Sequence, residues 1–96
     1  MKKIQEVRGW ILRTIDRAGR YGASTRLIGD TLLGLRAALT DSEIEEELDY
    51  LARKGYVRLE DVEVPGVGAR RIAYLEPKGQ DLLDGSIAQD PGILLD

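Results

Sequence analysis

The chain has 96 residues, of which 43% are hydrophobic and 32% charged, and its formal net charge is -3. It contains no cysteine, which excludes disulfide bonds and thiolate metal sites, and no apolar run approaches the roughly 20 residues of a membrane-spanning helix. We therefore expect one globular domain formed by residues 1–85, followed by a C-terminal tail of residues 86–96. Because no apolar signal segment follows Met1, the protein is expected in the cytoplasm.

The charges are divided unevenly along the chain. Residues 1–36 contain eight Lys or Arg and three acidic residues, a net charge of +5, whereas residues 37–96 have a net charge of -8. Such a division fits either binding to charged partners or two solvated surfaces of opposite sign that attract each other weakly.

The first helix is predicted from about residue 2 to residue 18. Its apolar stripe has helical spacing and consists of Ile4, Val7, Ile11, Ile15 and Ala18. Trp10 lies at the margin of this stripe, either as a residue at the edge of the core or as an anchor for a partner. Gly9 lowers the stability of a helix by about 1 kcal/mol relative to alanine. Because glycine has no side chain, another backbone segment could approach the helix closely at this position.

The second helix follows a turn that contains Gly19 and Gly22, and Ser24 provides its N-cap. Gly34 lies near its C-terminal end. Its inner face is predicted to consist of Leu27, Ile28, Thr31 and Leu32, with Leu35 closing it. A helix, a short connector and a capped helix follow one another in the order of a helix-turn-helix unit.

The third helix begins at a capping box, Thr40-Asp41-Ser42-Glu43. In this motif the Thr40 hydroxyl accepts a hydrogen bond from the Glu43 amide, and the Glu43 carboxylate accepts one from the Thr40 amide. Lys54-Gly55 ends the helix, with a cation at the negative end of the helix dipole. The apolar stripe of the helix consists of Ile44, Leu48 and Leu51.

The outer surface of the third helix is mostly carboxylate when Ile44 points inward. Helix capping and the dipole account for Asp41 and Glu43. Like-charged neighbours one turn apart lower the stability of a helix, so helix stability does not explain the remaining acids. The outer side carries Glu43, Glu45, Glu46, Asp49 and Arg53.

A hairpin and a short last helix complete the predicted domain. Strands at residues 56–59 and 71–75 are joined by a turn at residues 65–68. The apolar residues alternate at odd positions before Glu60-Asp61 and at even positions after it, which predicts a β-bulge there. Pro77 starts the last helix, with Glu76 as a weak cap, and Gly85 ends it. In the tail, the apolar triplet Ile93-Leu94-Leu95 is expected to dock on its own domain, on a second copy, or nowhere.

The stretch LDYLARKGYV, which passes from a helix directly into a hairpin, resembles the third helix and wing of a winged helix-turn-helix domain. This resemblance implies a mainly α fold with a small β-hairpin wing: a three-helix core, a two- or three-stranded wing and a short C-terminal helix. From about Ile11 to Gly92 the chain also resembles small winged-helix proteins of Mu-like phages and prophages. The segments that carry this resemblance are residues 11–13, the helix capped by Ser24, residues 48–57, residues 73–81, and Gly85 with Pro91-Gly92.

The winged-helix resemblance implies a DNA-binding transcriptional regulator of phage or prophage origin, with duplex DNA as its partner. In that fold a recognition helix enters the major groove and the wing touches the adjacent backbone. Here the carboxylates of the third helix oppose such reading, because affinity for DNA comes largely from Lys and Arg beside phosphates. The basic half and the wing offer an alternative footprint, whose candidate backbone contacts are Arg20, Arg26, Arg36, Arg70 and Arg71.

The alternative to DNA binding is a protein-interaction or dimerisation module that uses the same surfaces. A basic protein, or the basic half of a second copy in a homodimer, would complement the acidic third helix. The candidate interface residues are Trp10, Tyr50, Glu43, Glu46, Ile93, Leu94 and Leu95.

An enzyme is not expected from this sequence. The chain has no histidine and no cysteine, and Ser24 and Ser42 lie in helix caps without a candidate base. The consecutive acids Glu45-Glu46-Glu47 point in different directions on a helix, so they do not form a metal site. We therefore expect no catalytic residues, no cofactor, no metal and no membrane partner.

Overall fold

The computed structural model describes residues 3–95. Within them, four α-helices and a three-stranded antiparallel sheet form an α+β arrangement that is compatible with a winged-helix-like layout. Lys2, expected in the first helix, lies outside the described residues. None of the described helices has the length and apolar character needed to cross a membrane. In chain order the elements are α1 Ile4–Ala18, β1 Ala23–Ser24, α2 Thr25–Gly34, α3 Asp41–Arg53, β2 Val57–Val64, β3 Gly68–Leu75 and α4 Pro77–Asp84.

The local signals in the sequence place the starts of α2, α3 and α4 correctly. At α3 the Glu43 amide donates to the Thr40 hydroxyl at 3.1 Å, and the Thr40 amide donates to the Glu43 carboxylate at 2.9 Å. At α2 the Leu27 amide donates to the Ser24 hydroxyl at 3.1 Å. Glu76 makes no side-chain cap bond at α4, as expected for a weak cap. These bonds pair amides that the first turn of a helix leaves without a partner.

The core lies where α1, α2 and α3 meet the inner face of the sheet. The prediction for α2 was wrong in part, because Leu27 and Leu35 are 45% and 41% exposed. Only Ile28 and Leu32, one turn apart, point at the other two helices, since α2 is covered on one side alone. The largest fully buried side chains are Ile11, Leu12, Ile15, Ile28, Leu32, Ile44, Leu48 and Leu51.

The sheet has the strand order β1-β3-β2, and β2 pairs with β3 without interruption from Val57↔Leu75 to Val64↔Gly68. The predicted bulge near Glu60-Asp61 is therefore wrong. In a regular strand alternate side chains share a face, so Val62 and Val64 lie on the face opposite Val57 and both are exposed. The apolar residues move from one face of the strand to the other because the outer half of the hairpin extends beyond the core.

The tail docks on its own domain, which is one of the three outcomes expected for it. Ile93 is 5% exposed, and the Leu94 amide donates to the Gln5 carbonyl at 2.9 Å. A Cβ atom at Gly9 would collide with the Leu94 carbonyl oxygen. The close backbone approach indicated by Gly9 is therefore made by the tail, which lies along α1.

Candidate functional site

Arg71 lies among three carboxylates that come from α3 and from the hairpin. Its Nε is 3.2 Å from Asp61 Oδ1, and its Nη1 is 3.3 Å from Asp49 Oδ1 and 3.8 Å from Glu45 Oε1. The hydrogen bond with Asp61 is the main cause that raises the pKa of Arg71 above its ordinary value. Asp61 and Arg71 are directly opposite in the strand register and therefore share the face that turns toward α3.

We call the outward side of α3 together with Asp61 the acidic face. Its N-terminal half carries Asp41, Glu43 and Glu46, all of which are exposed, and Glu43 also serves the capping box. Part of the acidic surplus has a structural explanation, because Glu45 and Asp49 hold Arg71. The sequence could not reveal this explanation, since the partner lies on a strand more than twenty residues away.

The five arginines predicted to contact DNA do not form one patch. Arg70 and Arg71 are consecutive in β3, so their side chains point to opposite faces of the sheet. Arg20 donates to the Tyr21 hydroxyl at 3.3 Å and lies 5.3 Å from the centre of that ring. Arg26 and Arg36 are exposed at opposite ends of α2.

The residues predicted at a protein interface are also separated. Trp10 is half-buried and packs against the edge of the core. Tyr50 is half-buried, with the Arg8 guanidinium 3.8 Å from its ring centre. Ile93 is buried against its own domain, so its side chain cannot meet a partner there, whereas Leu94 is exposed and Leu95 half-buried. Glu43 and Glu46 remain exposed on the acidic face.

Arg8 joins α1, α3 and the tail, although nothing in the sequence singled it out. Its Nε is 2.6 Å from Glu47 Oε1, and its Nη1 donates to the Gly92 carbonyl at 3.2 Å. The two side chains of the ion pair are 17% and 15% exposed, so the pair is shielded from water. A basic residue on the flank of the α1 stripe was the only signal in the sequence.

Asp90 is the second attachment point of the tail and is the one buried acid among the described residues. It accepts hydrogen bonds from the Tyr56 hydroxyl at 2.7 Å and from the Gly92 amide at 2.8 Å, and it lies 2.9 Å from Lys54 Nζ. Burial acts to raise the pKa of Asp90, but these bonds and the Lys54 charge outweigh it and hold the pKa at about 2. Burial, followed by the bond to Asp90, raises the pKa of Tyr56 to about 12.

Acid should therefore weaken the fold through Asp90. Because the pKa in the folded state lies below the ordinary value of 3.8, the Asp90 carboxylate stabilises the fold above about pH 4, and this stabilisation is lost as the pH falls toward 2. We expect this single group to contribute about 2 kcal/mol of that loss. Urea unfolding at several pH values measures it.

Two variants test the assignment to this group. Asp90→Asn should be less stable at neutral pH and should lose less stability between pH 4 and pH 2 than the natural protein. The control Asp30→Asn removes an exposed carboxylate of α2 and should keep the full acid dependence. Equal acid dependence in the natural protein and in Asp90→Asn would contradict the assignment.

A groove of about 440 Å³ lies between α1 and α2, and we call it the basic groove. The Thr14 hydroxyl donates to the Trp10 carbonyl and the Thr31 hydroxyl donates to the Leu27 carbonyl, so both are satisfied within their own helices. The groove therefore presents mainly apolar surface and two arginines, and none of the described residues that line it is acidic. It is lined by Trp10, Arg13, Thr14, Arg17, Thr31, Gly34 and Leu35.

Neither Arg13 nor Arg17 was predicted as a site residue. Both are exposed, and within residues 3–95 neither forms an ion pair. Arg13 and Arg17 are four residues apart, and Arg13 follows Trp10 by three, so all three lie on one side of α1. This spacing was the signal available in the sequence.

Within residues 3–95, no group of three or more acidic side chains is arranged to hold a metal ion.

The chain matches no protein-family model, and a search of the curated proteins finds no significant match. The acidic face and the basic groove are therefore the features from which a function can be inferred.

Proposed function

We propose that the protein is a non-enzymatic winged-helix domain that acts by binding protein, and that α3 does not read the major groove of DNA. The observation that carries this proposal is the position of Arg71 among Glu45, Asp49 and Asp61. The cation on the wing beside α3 is held by carboxylates of its own chain. The resemblance to winged-helix proteins of Mu-like phages supports a phage or prophage context and a cytoplasmic location for this role.

Electrostatics argue against major-groove reading by α3. A helix in the groove lies between two rows of phosphates, and binding requires Lys or Arg to replace the counterions of those phosphates. The N-terminal half of α3 would bring Asp41, Glu43 and Glu46 to that position. A carboxylate can accept a hydrogen bond from cytosine, but three exposed acids beside phosphates repel the duplex.

The same charges favour a protein partner with a basic surface. Charge complementarity speeds the encounter of two proteins and disfavours partners with the wrong charge. The acidic face supplies one half of such a contact and the basic groove supplies a surface of the opposite sign on the same molecule. A single chain thus carries both halves of a complementary pair.

A second candidate function is binding of the DNA backbone by the basic half, as a regulator. Arg26 and Arg36 favour it, because both are exposed and neither forms an ion pair within the described residues. Contacts of this kind carry no sequence information. Recognition of an operator would then need a second source of specificity.

Titration of a fluorescent duplex at low salt separates the two functions. We expect no binding that weakens with salt, because α3 repels phosphate and the arginines are dispersed. Salt-sensitive binding that is lost in Arg26→Glu/Arg36→Glu but kept in Glu46→Ala would support the second candidate. Sequence-specific binding that is lost in Ser42→Ala or Glu46→Ala would contradict the proposed function, because it would place α3 in the groove.

A further inference from the structure

We propose that two copies of this chain pair through the α1–α2 face, which consists of the basic groove and the neighbouring Leu27. The inference rests on the proposed protein-binding function and names the partner as a second copy. In the pair, Arg13 and Arg17 of one copy meet the acidic start of α3 of the other copy, around a centre formed by Trp10 and Leu35.

The apolar face of α2 is wider than the part that its own domain covers. Ile28 and Leu32 are fully buried, whereas Leu27 and Leu35 are 45% and 41% exposed. Leu27, Thr31 and Leu35 follow one another at intervals of four residues and therefore form one stripe beside the buried one. Exposed apolar stripes with a polar border are typical of protein interaction sites.

Across the groove, α1 presents a matching stripe. Trp10, Thr14 and Arg17 share one side of α1, with Arg13 beside them. A half-buried tryptophan flanked by arginines has the composition of an interface centre, because both residue types are enriched among the side chains that contribute most to binding. The exposed aliphatic stripe of α2 lies on the other side of the same groove.

The basic groove and the start of α3 carry opposite charges. Among the described residues, the lining of the basic groove includes two arginines and no acid, while the start of α3 carries the exposed Asp41 and Glu46. The connection from Leu35 to Asp41 spans six peptide units, so these two residues lie no more than about 20 Å apart. A two-fold axis makes each contact of an interface twice, so a pair in which the groove of one copy meets the start of α3 of the other joins opposite charges at both places.

Analytical ultracentrifugation over a range of concentrations measures the association, and the emission of Trp10, the only tryptophan of the chain, reports on the groove. We expect a concentration-dependent species with twice the mass of one chain and a simultaneous change in Trp10 emission. A single chain mass at all concentrations up to the millimolar range would overturn the inference, as would a dimer with unchanged Trp10 emission.

Variants at exposed positions locate the interface without disturbing the fold. Leu27→Ser/Leu35→Ser should weaken dimerisation at least tenfold. The control Leu33→Ser makes the same change at a residue of α2 that is 64% exposed and two positions from Leu35, on the other side of the helix. Leu33→Ser should leave dimerisation unchanged, and the opposite order of effects would overturn the inference.

A charge exchange tests the pairing itself. Arg13→Glu/Arg17→Glu should abolish dimerisation because acids then face acids, and Asp41→Lys/Glu46→Lys should abolish it because bases then face bases. An equimolar mixture of the two variants should dimerise again, since every contact between unlike copies joins opposite charges. Two variants that each remain dimeric, or a mixture that stays monomeric, would overturn it.

The experiments distinguish a wrong partner from a wrong function. A monomer that also fails to bind DNA through α3 removes the second copy as the partner and leaves protein binding in place. Sequence-specific DNA binding that depends on Ser42 or Glu46 removes the protein-binding proposal, whatever the mass in solution.

Discussion

Replacing Arg8 with methionine should lower the free energy of unfolding by about 2 to 3 kcal/mol, because it leaves the shielded Glu47 carboxylate without a partner. The substitution also removes the hydrogen bond to the Gly92 carbonyl and the stacking on Tyr50. Methionine keeps much of the packing volume of the arginine stem, so the loss reports mainly on charge and hydrogen bonding. The expected value lies at the lower end for a buried pair, because both side chains retain some contact with water.

Urea unfolding followed by circular dichroism measures this loss. The control Arg53→Met removes an exposed arginine from α3 and should cost less than about 1 kcal/mol. The double variant Arg8→Met/Glu47→Met should recover part of the loss, because no charge is then left unpaired. Equal losses for Arg8→Met and Arg53→Met would contradict a structural role for the Arg8 pair.

Replacing Gly9 with alanine should lower the free energy of unfolding by about 2 kcal/mol, although alanine is the better helix former. The new Cβ atom would collide with the Leu94 carbonyl oxygen, which is backbone and cannot rotate away. Displacing the tail exposes Ile93, worth about 1.5 to 3 kcal/mol, and breaks the bond from the Leu94 amide to Gln5, worth about 1 kcal/mol. The gain in helix propensity offsets about 1 kcal/mol of this.

The sign of the Gly9 effect depends on the tail, which gives a sharp test. In a chain that ends at Gly85, Gly9→Ala should instead stabilise the fold by up to about 1 kcal/mol, because helix propensity alone remains. Gly34→Ala is the control, since Gly34 is also helical and a Cβ atom there meets nothing within 4 Å. It should not destabilise the full chain. A stabilising effect of Gly9→Ala in the full chain would contradict the docked tail.

Residues 86–95 are part of the folded unit. Arg8 and Gly9 are adjacent in α1. Arg8 donates a hydrogen bond to the tail, and the absence of a side chain at Gly9 lets the tail backbone lie against the helix. Asp90 fastens the same segment to Lys54 and Tyr56 beyond the end of α3. The tail thus connects the first and third helices, and it reaches the edge of the proposed dimer face at Trp10.

Local physical chemistry made much of the architecture predictable. The capping box at Thr40, the N-cap at Ser24 and the stop at Gly85 depend on residues within a few positions of one another, and all are confirmed. The apolar periods of α1 and α3 likewise placed most of their buried residues correctly, but the prediction was wrong for Ile4, which is 37% exposed. Signals of this range need no knowledge of the rest of the chain.

Errors arose where a sequence pattern had two structural explanations. The wide apolar face of α2 predicted burial of Leu27 and Leu35, but the domain covers only half of that face. The phase change in β2 predicted a bulge, but an unbulged strand whose outer half extends beyond the core produces the same pattern. In both cases the coverage of a face by other elements decided the outcome.

The sequence by itself determined where α2, α3 and α4 begin, which faces are apolar, and that the third helix is acidic, because each of these follows from near neighbours and simple periods. Only the tertiary structure decided which charges are paired: Glu47 with Arg8, Asp90 with Lys54, and Arg71 with Glu45, Asp49 and Asp61. The physical reason is that an ion pair depends on a separation of a few ångströms between side chains. Residues far apart in the chain reach that separation only after packing has set the relative positions of the helices, the hairpin and the tail.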